Sequence, residues 1–120
     1  MTSYELPIVN HDGLELWSQE NGLHRTDGPA EVYPDGTENW WQNGKRHRTD
    51  GPAVIESNGS TIWYVDGERH RTDGPAMIML NKTEFWLQNG RSHRANGPVV
   101  IYLDGSEFWY RRSKQYRADG

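Results

Sequence analysis

The sequence contains no cysteine. That excludes disulfides, thiol catalysis and zinc knuckles, and it fits a reducing compartment, so a cytoplasmic location is expected. No apolar run approaches the roughly 18 residues of a membrane-spanning helix. Positions 1–10 have neither a basic start nor an apolar stretch, so no secretory signal is expected there. Basic charge is not in surplus either. Seventeen acidic residues face 13 basic ones, for a net charge of −4, which argues against non-specific nucleic-acid binding through phosphate neutralisation. Aliphatic residues are scarce: Leu, Ile, Val and Phe together number only 20 of 120, a share that alone would indicate disorder. Two counts oppose that. The low net charge leaves little self-repulsion to keep the chain open. Six Trp and six Tyr can each remove about 150–250 Å² from water on burial.

What the chain has in excess is turns. Each of its 13 glycines follows Asn or Asp. Glycine adopts positive φ without steric cost, and Asn and Asp tolerate the same region, so each pair marks a candidate tight turn. Turns at that density leave no window for a long helix.

The turns recur at a fixed interval. His24-Arg25-Thr26-Asp27-Gly28-Pro29-Ala30 returns unchanged at 47–53 and 70–76, as His93-Arg94-Ala95-Asn96-Gly97-Pro98-Val99, and as Tyr116-Arg117-Ala118-Asp119-Gly120. Each step is 23 residues, and a tryptophan (Trp17, Trp40, Trp63, Trp86, Trp109) stands seven residues ahead of each copy. A second Asn/Asp-Gly pair keeps the same phase, except at Asn81-Lys82, where glycine is missing. The single domain 1–120 divides into a leading half unit (1–16), four units (17–39, 40–62, 63–85, 86–108) and a trailing half unit (109–120). Segments such as Thr61-Ile62-Trp63-Tyr64-Val65 have the β-branched and aromatic content of strands. Proline within Asp-Gly-Pro should break the return strand. The expectation is an all-β chain: an elongated meander of antiparallel hairpins, with one straight and one broken strand per unit.

A 23-residue unit of aromatics and Asn/Asp-Gly turns resembles the MORN repeat, and especially its divergent bacterial and phage variants rich in His-Arg-x-Asp-Gly-Pro-Ala. The chain departs from the usual pattern in carrying Arg25, Arg48, Arg71 and Arg94 where the family has a glycine after the His. The resemblance implies stacked hairpins and a protein-binding or membrane-associating module. Some bacterial relatives carry an antitoxin label, which implies an inhibitor-like role in the cytoplasm of a bacterial host cell.

The residues themselves carry further expectations. Equivalent positions two strands apart lie about 9.6 Å from each other, so the indoles cannot stack directly. Val32, Ile55, Ile78 and Ile101, with the Ala30, Ala53, Ala76 and Val99 row, are expected to alternate with Trp17, Trp40, Trp63, Trp86 and Trp109 as the core. The same spacing keeps equivalent His residues too far apart to share a metal ion, so neither metal nor cofactor is expected. Each Arg should bond a neighbouring turn's Asp or carbonyl, with each His beside the Trp edge. Strand alternation puts Trp41, Ile62, Tyr64, Phe85, Leu87, Phe108 and Tyr110 on the opposite face as an apolar stripe for a protein partner. Arg111, Arg112, Lys114 and Arg117 form a basic end that could grip an acidic partner or cap the stack.

The function expected is therefore non-enzymatic protein binding through the aromatic face. One alternative is binding of a phosphate-bearing ligand, nucleotide or lipid by the His-Arg-x-Asp turns. Another is a structural tile, a homo-oligomer built through an open strand edge or the aromatic face. A constellation repeated four times is a poor basis for one special catalytic site, and no phosphate-cradling glycine loop or serine nucleophile motif is present.

Overall fold

The structure is a computed structural model, and it describes residues 7–111 and 114–116. The described residues are all β, with no helix. The molecule is elongated, 55 × 29 × 18 Å.

Eleven strands form one antiparallel sheet in plain sequence order. Most are two residues long, from Ile8–Val9 and Glu15–Leu16 through Glu31–Val32, Glu38–Asn39, Val54–Ile55, Thr61–Ile62, Met77–Ile78, Glu84–Phe85 and Val100–Ile101. The last two, Glu107–Arg111 and Lys114–Tyr116, are longer. Four two-stranded hairpins stand off this sheet: Ser18–Gln19 with Gly22–Leu23, Trp41–Gln42 with Lys45–Arg46, Tyr64–Val65 with Glu68–Arg69, and Leu87–Gln88 with Arg91–Ser92.

Each full unit thus contributes four short strands, not one straight and one broken. The strand expected to run straight is interrupted at its tryptophan. Trp40 N–H donates to Ala53 C=O in the long sheet, at 2.7 Å, while Trp40 C=O accepts from His47 N–H in the hairpin, at 3.1 Å. One peptide plane on either side of the indole serves each sheet, so the chain bends there. Trp17, Trp63 and Trp86 repeat both bonds.

The turns follow from Asx chemistry. In the hairpins, Asn43-Gly44, Asp66-Gly67 and Asn89-Gly90 have φ of 51° and 78°, 49° and 85°, and 51° and 78°, the doubly left-handed turn that matches strand twist. In the long sheet the loops close differently. Asp35 Oδ1 accepts from Thr37 N–H, Asn58 from Ser60, Asn81 from Thr83 and Asp104 from Ser106. The following residue takes positive φ: 96° at Gly36, 98° at Gly59, 90° at Gly105 and 71° at Lys82.

Lys82 therefore holds a conformation that costs an L-residue about 1 kcal/mol or more. Lys82→Gly should stabilise the protein by about 1 kcal/mol and raise Tm by a few degrees, as read by calorimetry. An unchanged or lower Tm would mean that the Lys82 side chain contributes more than its backbone strain costs.

The core is thin. Ala30, Ala53, Ala76 and Val99 are fully buried, and Val54, Val100 and Leu87 nearly so. These small residues alternate with the tryptophans across the sheet, each Trp amide bonding to the Ala or Val carbonyl. The Val32, Ile55, Ile78 and Ile101 row pairs across the sheet with acidic residues and threonine. Val32 lies opposite Glu15 and Glu38, and Ile55 opposite Glu38 and Thr61. Ile78 lies opposite Thr61 and Glu84, and Ile101 opposite Glu84 and Glu107. All four are half-buried. This row sits two residues along the chain from the Ala and Val residues whose carbonyls bond to the tryptophan amides.

Candidate functional site

The His-Arg-x-Asp-Gly-Pro motif is the first candidate, because it concentrates the titratable groups. Each Arg folds back over the tryptophan eight residues before it. The guanidinium carbon lies 3.9 Å from the Trp17 ring centroid for Arg25, 3.8 Å from Trp40 for Arg48, 4.0 Å from Trp63 for Arg71 and 3.7 Å from Trp86 for Arg94. Each guanidinium thereby covers one face of its own indole in a cation–π contact. Nε then donates to the Asp two residues on, at 3.0 Å in Arg25–Asp27, 2.9 Å in Arg48–Asp50 and 3.1 Å in Arg71–Asp73. In all four units one Nη donates to the proline carbonyl four residues on. Glycine is required beneath the guanidinium. A Cβ on Gly28, Gly51, Gly74 or Gly97 would come within 2.6–2.8 Å of the Arg Cζ.

The two roles expected of Arg and His are exchanged. Arg satisfies its own turn, and His joins neighbouring units. His24 Nδ1 accepts from Asn43 N–H at 3.0 Å, His47 from Asp66 at 3.1 Å and His70 from Asn89 at 3.0 Å. Reach decides this: Arg spans its indole and its own loop, and the shorter imidazole meets the next hairpin. In these three units the Nδ1 lone pair is engaged by a backbone amide of the next hairpin.

Three carboxyls are held below the usual Asp range. For Asp35 the main cause is the Thr37 amide, for Asp50 the Arg48 guanidinium, and for Asp104 the Ser106 hydroxyl and amide. A carboxyl whose pKa is lower folded than unfolded stabilises the fold above the unfolded value. That contribution is lost as pH falls through the folded value. Tm should therefore drop progressively below about pH 4. Asp35→Asn keeps an acceptor like that of Asn58 and should flatten its share of the acid slope. An unaltered slope in this variant would exclude Asp35 as a contributor.

The expected apolar stripe is divided by the bend at Trp. Ile62, Phe85 and Phe108 lie in the long sheet; Trp41, Tyr64 and Leu87 lie in the hairpins. Leu87 is buried, so it is not part of an exposed surface, and Trp41, Ile62, Tyr64 and Phe85 are half-buried. Trp41 Nε1 donates to Glu31 Oε1 at 2.8 Å, and Arg46 stacks on both Trp41 and Tyr64. Those two rings are occupied within the chain. Phe108 is 39% exposed. The Tyr110, Arg111 and Lys114 side chains, and Arg112 and Arg117 entirely, lie outside the described residues.

A different apolar surface emerges at the turn end of the long sheet. One face runs through Glu31, Asn39, Val54, Ile62, Met77, Phe85, Val100 and Phe108 in register. It is polar in the first units and apolar in the last. Beyond it lies an open groove of about 490 Å³ lined by Met79, Leu80, Phe85 and Tyr102, with the buried Ser60 and Thr83 hydroxyl residues. Leu80 is 62% exposed, Leu103 70% and Tyr102 37%. Alternation could not reveal the two leucines, because they occupy turns. Comparing units could: Pro34 and Ser57 hold that turn position in the second and third loops, where the fourth and fifth carry Leu80 and Leu103.

Among the described residues no group of three or more His, Asp or Glu side chains could hold a metal ion. Among the same residues no helix is long and apolar enough to cross a membrane. No family model matches the chain, and no curated protein or solved structure matches it either.

Proposed function

We propose that the protein is a non-enzymatic β-repeat module that binds another protein through the apolar turn end of its long sheet. The observation that supports this reading is the exposure of Leu80 and Leu103 beside Tyr102, Phe108 and the groove. Exposed leucines at successive turns, next to aromatic anchors, have the composition of a partner surface. The polar motifs favour the same reading. Their Arg, Asp and His groups are engaged in holding the repeat, which leaves them poorly placed for phosphate capture or acid–base chemistry. The MORN-like pattern agrees with a binding role, and an inhibitor acting on a bacterial enzyme is the specific form it implies.

Leu80→Ser/Leu103→Ser tests the proposal. Both positions are exposed, so the double variant should keep the wild-type circular dichroism spectrum and Tm. It should lose at least tenfold in affinity for whatever protein the immobilised wild type captures from host extract. Equal capture by a folded double variant would place the binding surface elsewhere.

A further inference from the structure

The fourth copy of the motif differs from the first three at one atom pair. Asn96 stands where Asp27, Asp50 and Asp73 accept from the guanidinium Nε of their own unit. In the fourth copy Arg94 keeps only its bond to the Pro98 carbonyl, and among the described residues the Asn96 side chain has no hydrogen bond. Asn96 is exposed. It lies with Ala95 in a turn and is followed by Gly97.

We propose that Asn96-Gly97 is a self-modification site at which Asn96 deamidates to aspartate. The backbone nitrogen of Gly97 attacks the Asn96 side-chain carbonyl carbon. The new N–C bond closes a five-membered succinimide, and the amide leaves as ammonia, carrying the proton given up by Gly97 nitrogen. Water then opens the ring. Opening at the side-chain carbonyl restores the backbone linkage with Asp at 96; opening at the backbone carbonyl gives isoaspartate. No oxidant or enzyme is needed. Glycine favours the attack because it has no side chain to obstruct the ring.

The other Asn-Gly pairs are held against this reaction. Asn43 and Asn89 sit in left-handed turns, φ 51° in both, and the Gly44 and Gly90 amides donate to Leu23 and Arg69 carbonyls. Asn58 Oδ1 accepts from Ser60 N–H, while Gly59 N–H donates to Glu56 C=O. The Asn21 side chain donates to Asn43 Oδ1 at 3.3 Å. Of the five, Asn96 is the one with neither a side-chain hydrogen bond nor a left-handed backbone among the described residues. Its aspartate product places a carboxylate beside the Arg94 Nε and gives the fourth unit the Arg–Asp pair of the other three.

The test is incubation of the whole folded protein in mildly alkaline, ammonia-free buffer, with peptide mapping by mass spectrometry. Asn96 should convert several-fold faster than Asn21, Asn43, Asn58 and Asn89, and in denaturant the five should converge. Equal ranking in folded and denatured protein would overturn the proposal. Asn96→Asp supplies the product directly, and Asn96→Gln supplies a neutral comparison. Asn96→Asp should melt a degree or more above Asn96→Gln at neutral pH, and the difference should vanish in acid. Equal melting at neutral pH would overturn the assigned Arg94 pairing.

Discussion

Gly74→Ala should lower stability by about 2 kcal/mol, and the same substitution should cost little once Arg71 is replaced by alanine. The new Cβ would stand 2.7 Å from Arg71 Cζ and 2.9 Å from its Nε. Those atoms end a flexible side chain, so the clash itself is relieved by moving the guanidinium. What is lost is everything the guanidinium does there. It stacks on Trp63, donates to Asp73 and donates to the Pro75 carbonyl. A cation–π contact of this exposure contributes about 0.5–1 kcal/mol. A hydrogen bond to a charged group contributes roughly 1.5 kcal/mol, discounted here because the Asp73 side chain is 81% exposed. Urea titration of the wild type, both single variants and the double variant closes the cycle. A coupling energy near 2 kcal/mol is expected. Additive losses would show that glycine serves the turn's backbone and not the stacked guanidinium.

The triple variant His24→Ala/His47→Ala/His70→Ala is expected to lose about 2 kcal/mol. Each substitution removes the acceptor of one backbone N–H at the junction of neighbouring hairpins. An orphaned amide costs about 1–3 kcal/mol when buried and less where water reaches it, and these junctions are exposed. The more telling consequence concerns cooperativity. Hairpin-to-hairpin contact also runs through backbone bonds such as Gly67 N–H to Arg46 C=O, 2.8 Å, and Arg48 N–H to Tyr64 C=O, 3.1 Å. Weakening these junctions in a repeat stack should separate the melting of its ends. Tryptophan fluorescence and circular dichroism should therefore coincide on unfolding in the wild type and diverge in the triple variant. Coincident curves with a small loss would assign the coupling to the long sheet alone.

Much of the architecture could be read from the residues, for a definite reason. Asn/Asp-Gly pairs commit the backbone locally, so turns and antiparallel order follow without tertiary information. Even the exception was visible, since Asn81-Lys82 occupies a glycine slot and Lys82 takes its positive φ. The bend at Trp40 was not legible. Tryptophan is a good strand former, and nothing in Asn39-Trp40-Trp41 marks a place where the amide joins one sheet and the carbonyl another. That one bend also divided the expected apolar stripe, because alternation predicts a shared face only along an unbroken strand. The Arg and His roles were inverted for a different reason. Both side chains can bond to turns, and composition carries no information on reach. The stack on Trp63 depends on Arg71 folding back across a bend that the sequence does not announce. Leu80 and Leu103 escape the alternation pattern because they occupy turns, where period-2 spacing carries no information on exposure.

Among the described residues, the backbone bonds that tie one hairpin to another run to the unit beside it and use the same peptide groups at successive junctions. Nothing in such a chain measures its own length. Removing residues 63–85 in frame would bring Ile62 to Trp86, and the next Trp would meet the same alanine and arginine surroundings it left. Copy number is then a variable that duplication or loss can change without redesigning the interior. A change of that kind would alter how many hairpins separate the polar start of the sheet from its apolar end.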